Sequence, residues 1–211
     1  MRRALLALPL AAALLLPAGP AAGQSSPPQA EDPRAAQPAA TALQDAKRAH
    51  LWRVAAWGGA NAIGGLALVW GSSRSRRAAR WNFGAMTAGW GAVNVGIAAV
   101  GLSVAGAPPA DPAAVLGAER QFHDILLFNL GLNVAYSAVG ATMLGAGYRD
   151  VAHAGRWRGF GTSLILQGAG LLVLDGIAFF ASRARLSTLL EAGVSLSVQP
   201  LPSGAALALR F

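Results

Sequence analysis

The sequence predicts an all-α membrane protein: a four-transmembrane-helix bundle preceded by a cleavable signal peptide and followed by a short C-terminal β-hairpin. Three observations predict this fold class. Of the 211 residues, 54% are hydrophobic and 12% are charged, whereas a soluble domain usually carries about 25% charged residues. Four apolar runs are long enough to cross a bilayer. The N-terminus has the pattern of an export signal.

Residues 1–23 form the predicted signal peptide. A basic start, MRR, precedes the apolar run ALLALPLAAALLL and the small-residue stretch PAGPAAG. The run is too short to span a bilayer and Pro9 interrupts it, so cleavage is expected near Gly23; an uncleaved anchor is the alternative. Residues 24–41 are rich in Pro, Gln and Ala and predict a disordered linker, because such a composition cannot bury a core.

Residues 42–185 form the predicted four-helix transmembrane domain. An amphipathic stretch with Leu43 and His50 on one face leads into four spans, at residues 54–71, 83–104, 125–146 and 159–181. Each span has about 18–23 residues, the length that a helix needs to cross about 30 Å of hydrocarbon. A buried helical hairpin of a soluble protein is the competing interpretation. Four such runs behind an export signal favour the membrane.

The distribution of arginines predicts the orientation. With an external N-terminus, the loops after the first and third spans face the cytoplasm, and both are basic: Arg74, Arg76, Arg77 and Arg80 in one, Arg149, Arg156 and Arg158 in the other. The loop between the second and third spans carries Asp111 and Glu119 with a single Arg. This arrangement satisfies the positive-inside rule. It predicts a protein of the bacterial inner membrane with both termini in the periplasm.

Residues 186–211 form the predicted external tail. Alternating apolar and polar residues flank the turn sequence PLPSG, which predicts a β-hairpin. An isolated hairpin is marginally stable in water, so it is expected to pack on the bundle or to pair with another copy. Because Phe211 after alternating residues also resembles the closing strand of an outer-membrane barrel, the outer membrane is the alternative location.

Two spans carry the same short pattern. Trp57 opens WGGANAIGG and Trp90 opens WGAVNVGIA, and an Asn stands four residues after each Trp. Amides recur at mid-depth in the other two spans, where a carboxamide that faced lipid would lack hydrogen-bond partners. The sequence therefore predicts an inward-facing polar layer within the membrane: Asn61, Asn94, Asn129, Asn133, Tyr136, Gln167 and Asp175.

Small residues repeat at four-residue spacing on the first two spans, a pattern that lets helix backbones approach closely. The predicted helix-packing residues are Trp57, Gly64, Trp90 and Gly96. Together with the shared Trp and Asn pattern, this repetition indicates a duplicated helical unit.

Asp175 is the leading candidate for a functional side chain. A carboxylate within a span costs about 2.5–3.5 kcal/mol on insertion scales, and Asn129 and Tyr136 of the third span are its expected neighbours. The alternative is a carboxyl that only fixes helix packing. His50, His123 and Asp124 lie at external ends of spans and could join a metal site, but their spacing matches no metal motif. The prediction is no metal and no cofactor.

Charge and motifs argue against other classes of function. The formal net charge is +8, but the arginines lie in short clusters between apolar runs, so no nucleic-acid partner is expected. The chain has no cysteine and no P-loop, dinucleotide, G-x-S-x-G or H-E-x-x-H pattern. Nothing in the sequence argues for an enzyme.

Four stretches carry a resemblance to a known family: WGGANAIGG, RWNFGAMTAGWGAVNVGIA, NLGLNVAYSAVG and RGFGTSLILQGAGLLVLD. They resemble an uncharacterised family of small bacterial four-helix integral membrane proteins, described as a domain of unknown function. The similarity covers about residues 45–182. It implies a membrane bundle and supplies no activity.

The sequence favours a non-enzymatic envelope protein. Its close-packing faces predict an oligomeric scaffold in the lipid bilayer, with further copies of itself or another membrane protein as partners. The alternative is binding or translocation of a small molecule, proton or ion through the polar layer with Asp175.

Overall fold

A computed structural model describes residues 33–109, 111–193, 195–201 and 204–210, and the side chains of residues 36–109 and 111–191. These residues form four helices: α1 (Pro33–Trp70), α2 (Ala78–Ser103), α3 (Pro112–Ala146) and α4 (Ala154–Gly193). Two strands follow, β1 (Ser195–Leu201) and β2 (Gly204–Arg210), which pair antiparallel with Ser195 opposite Arg210. The predicted signal peptide and the first part of the predicted linker lie outside the described residues.

The four predicted spans lie in α1, α2, α3 and α4 in that order, and at most one terminal residue of a span lies outside its helix. Three helices are long and apolar enough to cross a membrane: Ala78–Ser103, Pro112–Ala146 and Ala154–Glu191. The helix that contains the first predicted span, α1, is not among them, because its apolar part, residues 54–70, is short, follows directly on Arg53 and includes Asn61 and four glycines. The prediction of apolar spans is thus confirmed for three helices.

Three helices extend further than the sequence pattern predicts. The last nine residues of the predicted linker, 33–41, belong to α1, where Ala36 and Ala40 are buried against Val115. Most of the predicted loop before the third span is helical as well. Asp111 caps the N-terminus of α3 by accepting a hydrogen bond from the Ala114 N–H at 2.8 Å. At the other end of the chain, α4 continues through residues 186–193 of the predicted tail.

The helices pack as two hairpins, α1 with α2 and α3 with α4, and α2 also packs on α4. In each hairpin, glycines two turns apart bring the backbones together. In the first hairpin, Gly58 and Gly65 of α1 face Gly91 and Gly84 of α2. In the second hairpin, Gly140 and Gly147 pack on α4, and Gly161 and Gly168 of α4 pack on α3. Seven-residue spacing keeps each glycine pair on the same face of its helix.

The glycines that pack within the bundle lie one position from the predicted Gly64 on α1 and five positions from the predicted Gly96 on α2. Open space surrounds the Cα of both Gly64 and Gly96, whereas a Cβ on Gly65 would meet the α2 backbone. Each residue turns a helix by about 100°, so a one-residue error selects a different face. The two predicted tryptophans do pack: the Trp57 ring covers Gly170, and the Trp90 ring lies 5.0 Å from that of Tyr136.

The bundle has two sections that differ in which side chains they expose. Leu51 packs on Gly101 near the end of α2, so the residues of α1 before Leu51 lie beyond α2. This outer section comprises residues 33–50, 111–124 and 181–191; it buries Leu43 and Phe122 in a small apolar core and exposes charged side chains. The inner section, residues 51–103 and 125–180, buries amides and a carboxylate and exposes large apolar side chains such as Ile63, Ile97 and Val173.

Candidate functional site

Asp175 lies at the centre of a buried polar cluster that joins three helices. Its side chain on α4 is 4% exposed. The carboxylate Oδ2 accepts a hydrogen bond from Asn133 Nδ2 of α3 at 2.7 Å, and Oδ1 lies 3.1 Å from His50 Nε2 of α1. Each oxygen of the carboxyl group therefore has one nitrogen partner, so the buried side chain is not left without polar contacts.

A second cluster surrounds Gln167, two turns before Asp175 on α4. Gln167 Nε2 donates to Asn61 Oδ1 at 2.8 Å, and Gln167 Oε1 accepts from Trp57 Nε1 at 3.2 Å. Asn61 Nδ2 donates to the Trp57 carbonyl at 2.7 Å within α1. The Trp and Asn of the repeated pattern thus hold α1 against α4 through one glutamine.

Helix α2 contributes one buried polar pair with α4 and one buried amide. Thr87 and Ser163, both buried, share a hydrogen bond of 2.8 Å. Asn94 is 3% exposed, and its Nδ2 has no hydrogen-bond partner among the described residues. Asn94 is therefore buried as the sequence predicts, but it is not joined to the other amides by that nitrogen.

The sequence-based prediction of the neighbours of Asp175 is wrong. Asn129 and Tyr136 are only half-buried, and the partners of Asp175 are Asn133 and His50. Asn133 lies one helical turn beyond Asn129, about 6 Å further along α3. The relative axial position of α3 and α4 decides which of the two asparagines meets the carboxylate. That position depends on the glycine contacts of the hairpin, which periodicity alone does not reveal.

A buried ion pair that the sequence analysis did not identify lies in the outer section. Glu119 of α3 is fully buried and accepts hydrogen bonds from Arg185 Nε to Oε2 and from Arg185 Nη2 to Oε1, both at 3.0 Å. The Ser182 hydroxyl donates to the same carboxylate. A signal was present in the sequence, since Val115, Glu119, Phe122 and Leu126 have the i, i+4, i+7, i+11 spacing of one helix face.

Lys47 adds a further positive charge near this ion pair. Partial burial lowers the pKa of the Lys47 ammonium from its ordinary value, and the nearby charge of Glu119 opposes that change. The ammonium lies 5.7 Å from the ring centroid of Phe122, close enough for a cation–π interaction.

The histidines proposed as metal ligands fall into two separate pairs. His50 contacts Asp175, while His123 Nδ1 lies 3.6 Å from Asp124 Oδ1, a carboxylate whose side chain is 77% exposed. Among the residues that the structure describes, no three His, Cys, Asp or Glu side chains converge in a way that could hold a metal ion.

The arrangement limits the chemistry that these residues can perform. The buried hydroxyl of Ser163 bonds to Thr87, and that of Ser182 donates to Glu119, which is already paired with an arginine. Neither hydroxyl therefore contacts a general base that could activate it as a nucleophile. The His50–Asp175 pair is different, because an imidazole and a carboxyl in contact can hold one proton between them. His50 Nδ1 is buried without a hydrogen-bond partner in the described part of the chain.

Comparisons with known proteins add a family and no activity. No curated protein and no solved structure matches the chain. A family of unknown function, DUF6992, matches residues 53–176, which include Trp57, Asn61, Asn133, Gln167 and Asp175, but not His50 or Arg185. This match confirms the resemblance to a domain of unknown function. Because the match covers more than half of the 211 residues, the chain belongs to the family of unknown function DUF6992.

Proposed function

We propose that this protein is an integral membrane protein of four transmembrane helices that acts without catalysis, as a scaffold that associates with other copies of itself or with another membrane protein. The observation that carries the membrane placement is the change along the bundle in which side chains are exposed. The outer section exposes charged side chains, as a section in water does. The inner section exposes large apolar side chains and buries amides and a carboxylate, which is the pattern expected of a surface in contact with lipid.

Two features support a transmembrane position for α1 as the fourth span. Its residues 54–70 lie against α2 through the contacts of Gly58 with Gly91 and of Gly65 with Gly84, so both helices occupy the same layer. Trp52 and Trp70 are 57% and 83% exposed and lie 18 residues apart, about 27 Å along the helix. This separation approaches the thickness of the hydrocarbon core, at whose borders tryptophan is enriched.

The arginine-rich loops support an orientation. In both loops the guanidinium groups lie near aromatic rings: Arg74 is 4.6 Å from the Trp81 centroid and Arg158 is 5.5 Å from that of Tyr148. Basic residues are enriched on the cytoplasmic side of a membrane, and aromatic residues at both borders. Together with the N-terminal export pattern, the basic loops support a periplasmic position for both termini, including the β1–β2 hairpin, in a bacterial inner membrane; the outer membrane is the alternative.

This orientation can be tested because the chain has no cysteine. Ser75, in the α1–α2 loop, and Ser187, in the outer section of α4, are both exposed. We expect S187C to react with a membrane-impermeant maleimide in intact spheroplasts, and S75C to react only after permeabilisation. Labelling of both variants, or of neither, in intact spheroplasts would contradict the proposed orientation.

The outer face of α2 supports the scaffold role. Gly89 and Gly96 lie on this face with open space around their Cα atoms, and they have the same seven-residue spacing as the glycines that join α1 to α2. Exposed Val93, Ile97 and Val100 surround them. A lipid-facing stripe of this kind can accept a second helix at close range, so it is the surface through which we expect self-association.

Substitution of Gly96 tests the scaffold role. G96L places a bulky side chain on the outer face of α2 without meeting other described residues of the same chain. We expect G96L to shift the protein from oligomer to monomer, measured as mass by native mass spectrometry after mild extraction. The matched control is G131L, at an open glycine of α3, which should leave the oligomer intact.

A second variant that lacks residues 192–211 measures the contribution of the hairpin to assembly. A wild-type monomer, or equal oligomers in G96L and G131L, would exclude assembly through α2.

The second candidate function is transfer or binding of a proton or ion by the His50–Asp175 pair. One observation favours it: His50 Nδ1 is buried but has no partner in the described part of the chain, although a purely structural histidine usually satisfies both nitrogens. Replacement of Asp175 by Asn separates the two functions.

A further inference from the structure

A cavity of about 170 Å³ lies beside the His50–Asp175 pair, between α1, α3 and α4 and mostly in the outer section. Arg185 lies at its outer end and Arg53 at its inner end, one helical turn after His50. Arg53 and Ala181 of its lining are exposed, so the cavity opens at the surface. It therefore leads from the surface of the outer section to the level of the buried pair.

One aromatic ring separates this cavity from His50. The Phe122 ring lines the cavity and contacts the His50 imidazole edge-on, with the ring centroids 6.2 Å apart. The Lys47 ammonium lies 5.7 Å from the centroid of the same ring, and a cation–π interaction of this kind helps to hold the ring in place. On α4, Ala178 lines the cavity one turn after Asp175. The cavity thus approaches both members of the pair, and Phe122 covers the side of His50.

The cavity is suited to hold water. It has room for several molecules, since each occupies about 30 Å³ in the liquid. Guanidinium groups supply hydrogen-bond donors at both ends: Arg185 uses Nε and Nη2 to bind Glu119, which leaves Nη1, and Arg53 is exposed. A polar cavity that opens at the surface fills with water, whereas an enclosed apolar cavity stays empty. Water therefore comes within one side chain of His50.

The two nitrogens of His50 give this water a role. Nε2 lies 3.1 Å from Asp175 Oδ1, and Nδ1 has no partner among the described residues. A proton taken up at Nδ1 allows Nε2 to release its own proton to the carboxylate. We infer that the cavity is the water-filled route by which protons reach the pair from the outer side, and that Phe122 is the barrier on this route. The proton transfer rests on the second candidate function proposed above, and the outer position of the opening rests on the membrane placement.

Asp175 is the acid near His50 that can receive this proton. Glu119 is also buried, but Arg185 and Ser182 already bind its two oxygens. The other charged groups at the cavity or on the Phe122 ring are cations: Lys47 and Arg53. The single charged residue of α2, Arg80, lies in the first turn of that helix, at the end opposite to the pair. The route therefore ends at one carboxyl group.

Chemical modification of the three histidines of the chain, His50, His123 and His153, tests the barrier. In the full chain in vesicles, diethyl pyrocarbonate should modify the exposed His153 quickly and the buried His50 slowly, measured for each peptide by mass spectrometry. F122A should raise the rate at His50 about tenfold or more, because burial protects a group from reaction. The matched control is F179A, which removes a ring of the same apolar core that contacts His123 instead. F179A should raise the rate at His123 alone.

Single cysteines test for water in the cavity while the Phe122 ring stays in place, since the chain has no cysteine of its own. A49C places a thiol in the cavity, and V173C places one on the exposed apolar face of the inner section. A membrane-impermeant thiol reagent added to spheroplasts should modify A49C and leave V173C unmodified, because the reactive thiolate forms in water and not in lipid.

The possible failures are distinguishable. An unmodified A49C, or a rate at His50 that F122A leaves unchanged, would reject the route along this cavity. Modification of V173C would reject the membrane placement instead. Proton flux into proteoliposomes measures the transfer itself, and we expect a flux that F122A increases and D175N abolishes. If F122A exposed His50 to the reagent and no variant showed a flux, the second candidate function would be rejected, while Phe122 would be confirmed as the barrier between the cavity and the pair.

Discussion

Replacement of Asp175 by Leu is expected to lower the free energy of unfolding by about 2–6 kcal/mol, because it leaves two buried donors without an acceptor and each such group costs about 1–3 kcal/mol. The leucine leaves Asn133 Nδ2 and His50 Nε2, which now contact the carboxylate at 2.7 and 3.1 Å, without an acceptor. Both groups lie on buried side chains, so water cannot easily replace the lost contacts. The matched control is D124L, which removes a carboxylate that is largely exposed and should change stability by about 0.5 kcal/mol or less.

The conservative variant D175N should behave differently. The asparagine Oδ1 can accept the hydrogen bond of Asn133, and its Nδ2 can donate to His50 once the imidazole carries its proton on Nδ1. This arrangement moves the histidine proton to Nδ1, which is buried and has no acceptor among the described residues. We therefore expect D175N to lower the free energy of unfolding by about 1–3 kcal/mol, the cost of one buried donor without a partner, which is less than the effect of D175L.

This difference between Leu and Asn distinguishes the two proposed functions. The measurement combines thermal unfolding in detergent with proton flux into proteoliposomes. For a scaffold, D175N retains the oligomer and no variant alters flux. For a proton pathway, D175N abolishes a flux that the wild-type protein shows, although its fold is retained. If D175L and D124L had equal stabilities, the buried contacts of Asp175 would not stabilise the protein, and both interpretations of this residue would lose their basis.

The composition and the positions of the polar residues were sufficient to predict much of this molecule. Each of the four predicted spans lies inside one helix, apart from one terminal residue in the first and second spans, although the helices are longer than the spans. Of the seven residues of the predicted polar layer, Asn129 and Tyr136 are half-buried, and the others are buried: Asn61, Asn94, Asn133, Gln167 and Asp175. An inward position is expected because one polar residue in a long apolar run has few ways to find a hydrogen-bond partner.

The contacts between helices could not be predicted in the same way. Glycine is abundant on every face of the first two spans, and the pairs Gly58–Gly59 and Gly64–Gly65 offer two adjacent choices each. Only the path of α2 decides which member is covered. The Glu119–Arg185 ion pair was missed for a related reason: proline and aspartate before Glu119 indicate a loop, although Asp111 and Pro112 in fact begin a helix.

Substitution of adjacent glycines by alanine is expected to change stability in opposite directions. A Cβ on Gly58 would lie 2.7 Å from the Gly91 carbonyl oxygen and 2.9 Å from the Val95 nitrogen of α2. Both are backbone atoms, so no side-chain rotation can relieve the clash and the two helices must move apart. We expect G58A to lower the free energy of unfolding by about 1–3 kcal/mol or more, as overpacking does in a close-packed interface.

The neighbouring substitution G59A meets no atom within 4 Å. It should stabilise the protein by about 0.5–1 kcal/mol, because alanine loses less backbone entropy than glycine when a helix forms. The second pair repeats the test with the order reversed, since Gly65 is covered by α2 and Gly64 is open. Thermal unfolding of the four variants in one detergent measures the effects. If both members of a pair shifted the unfolding temperature in the same direction, the face of α1 that contacts α2 would have to be reassigned. Stability changes of opposite sign within each pair would establish that the seven-residue spacing of the glycines, rather than the number of glycines, sets the distance between α1 and α2. That distance in turn decides which amides can meet in the interior.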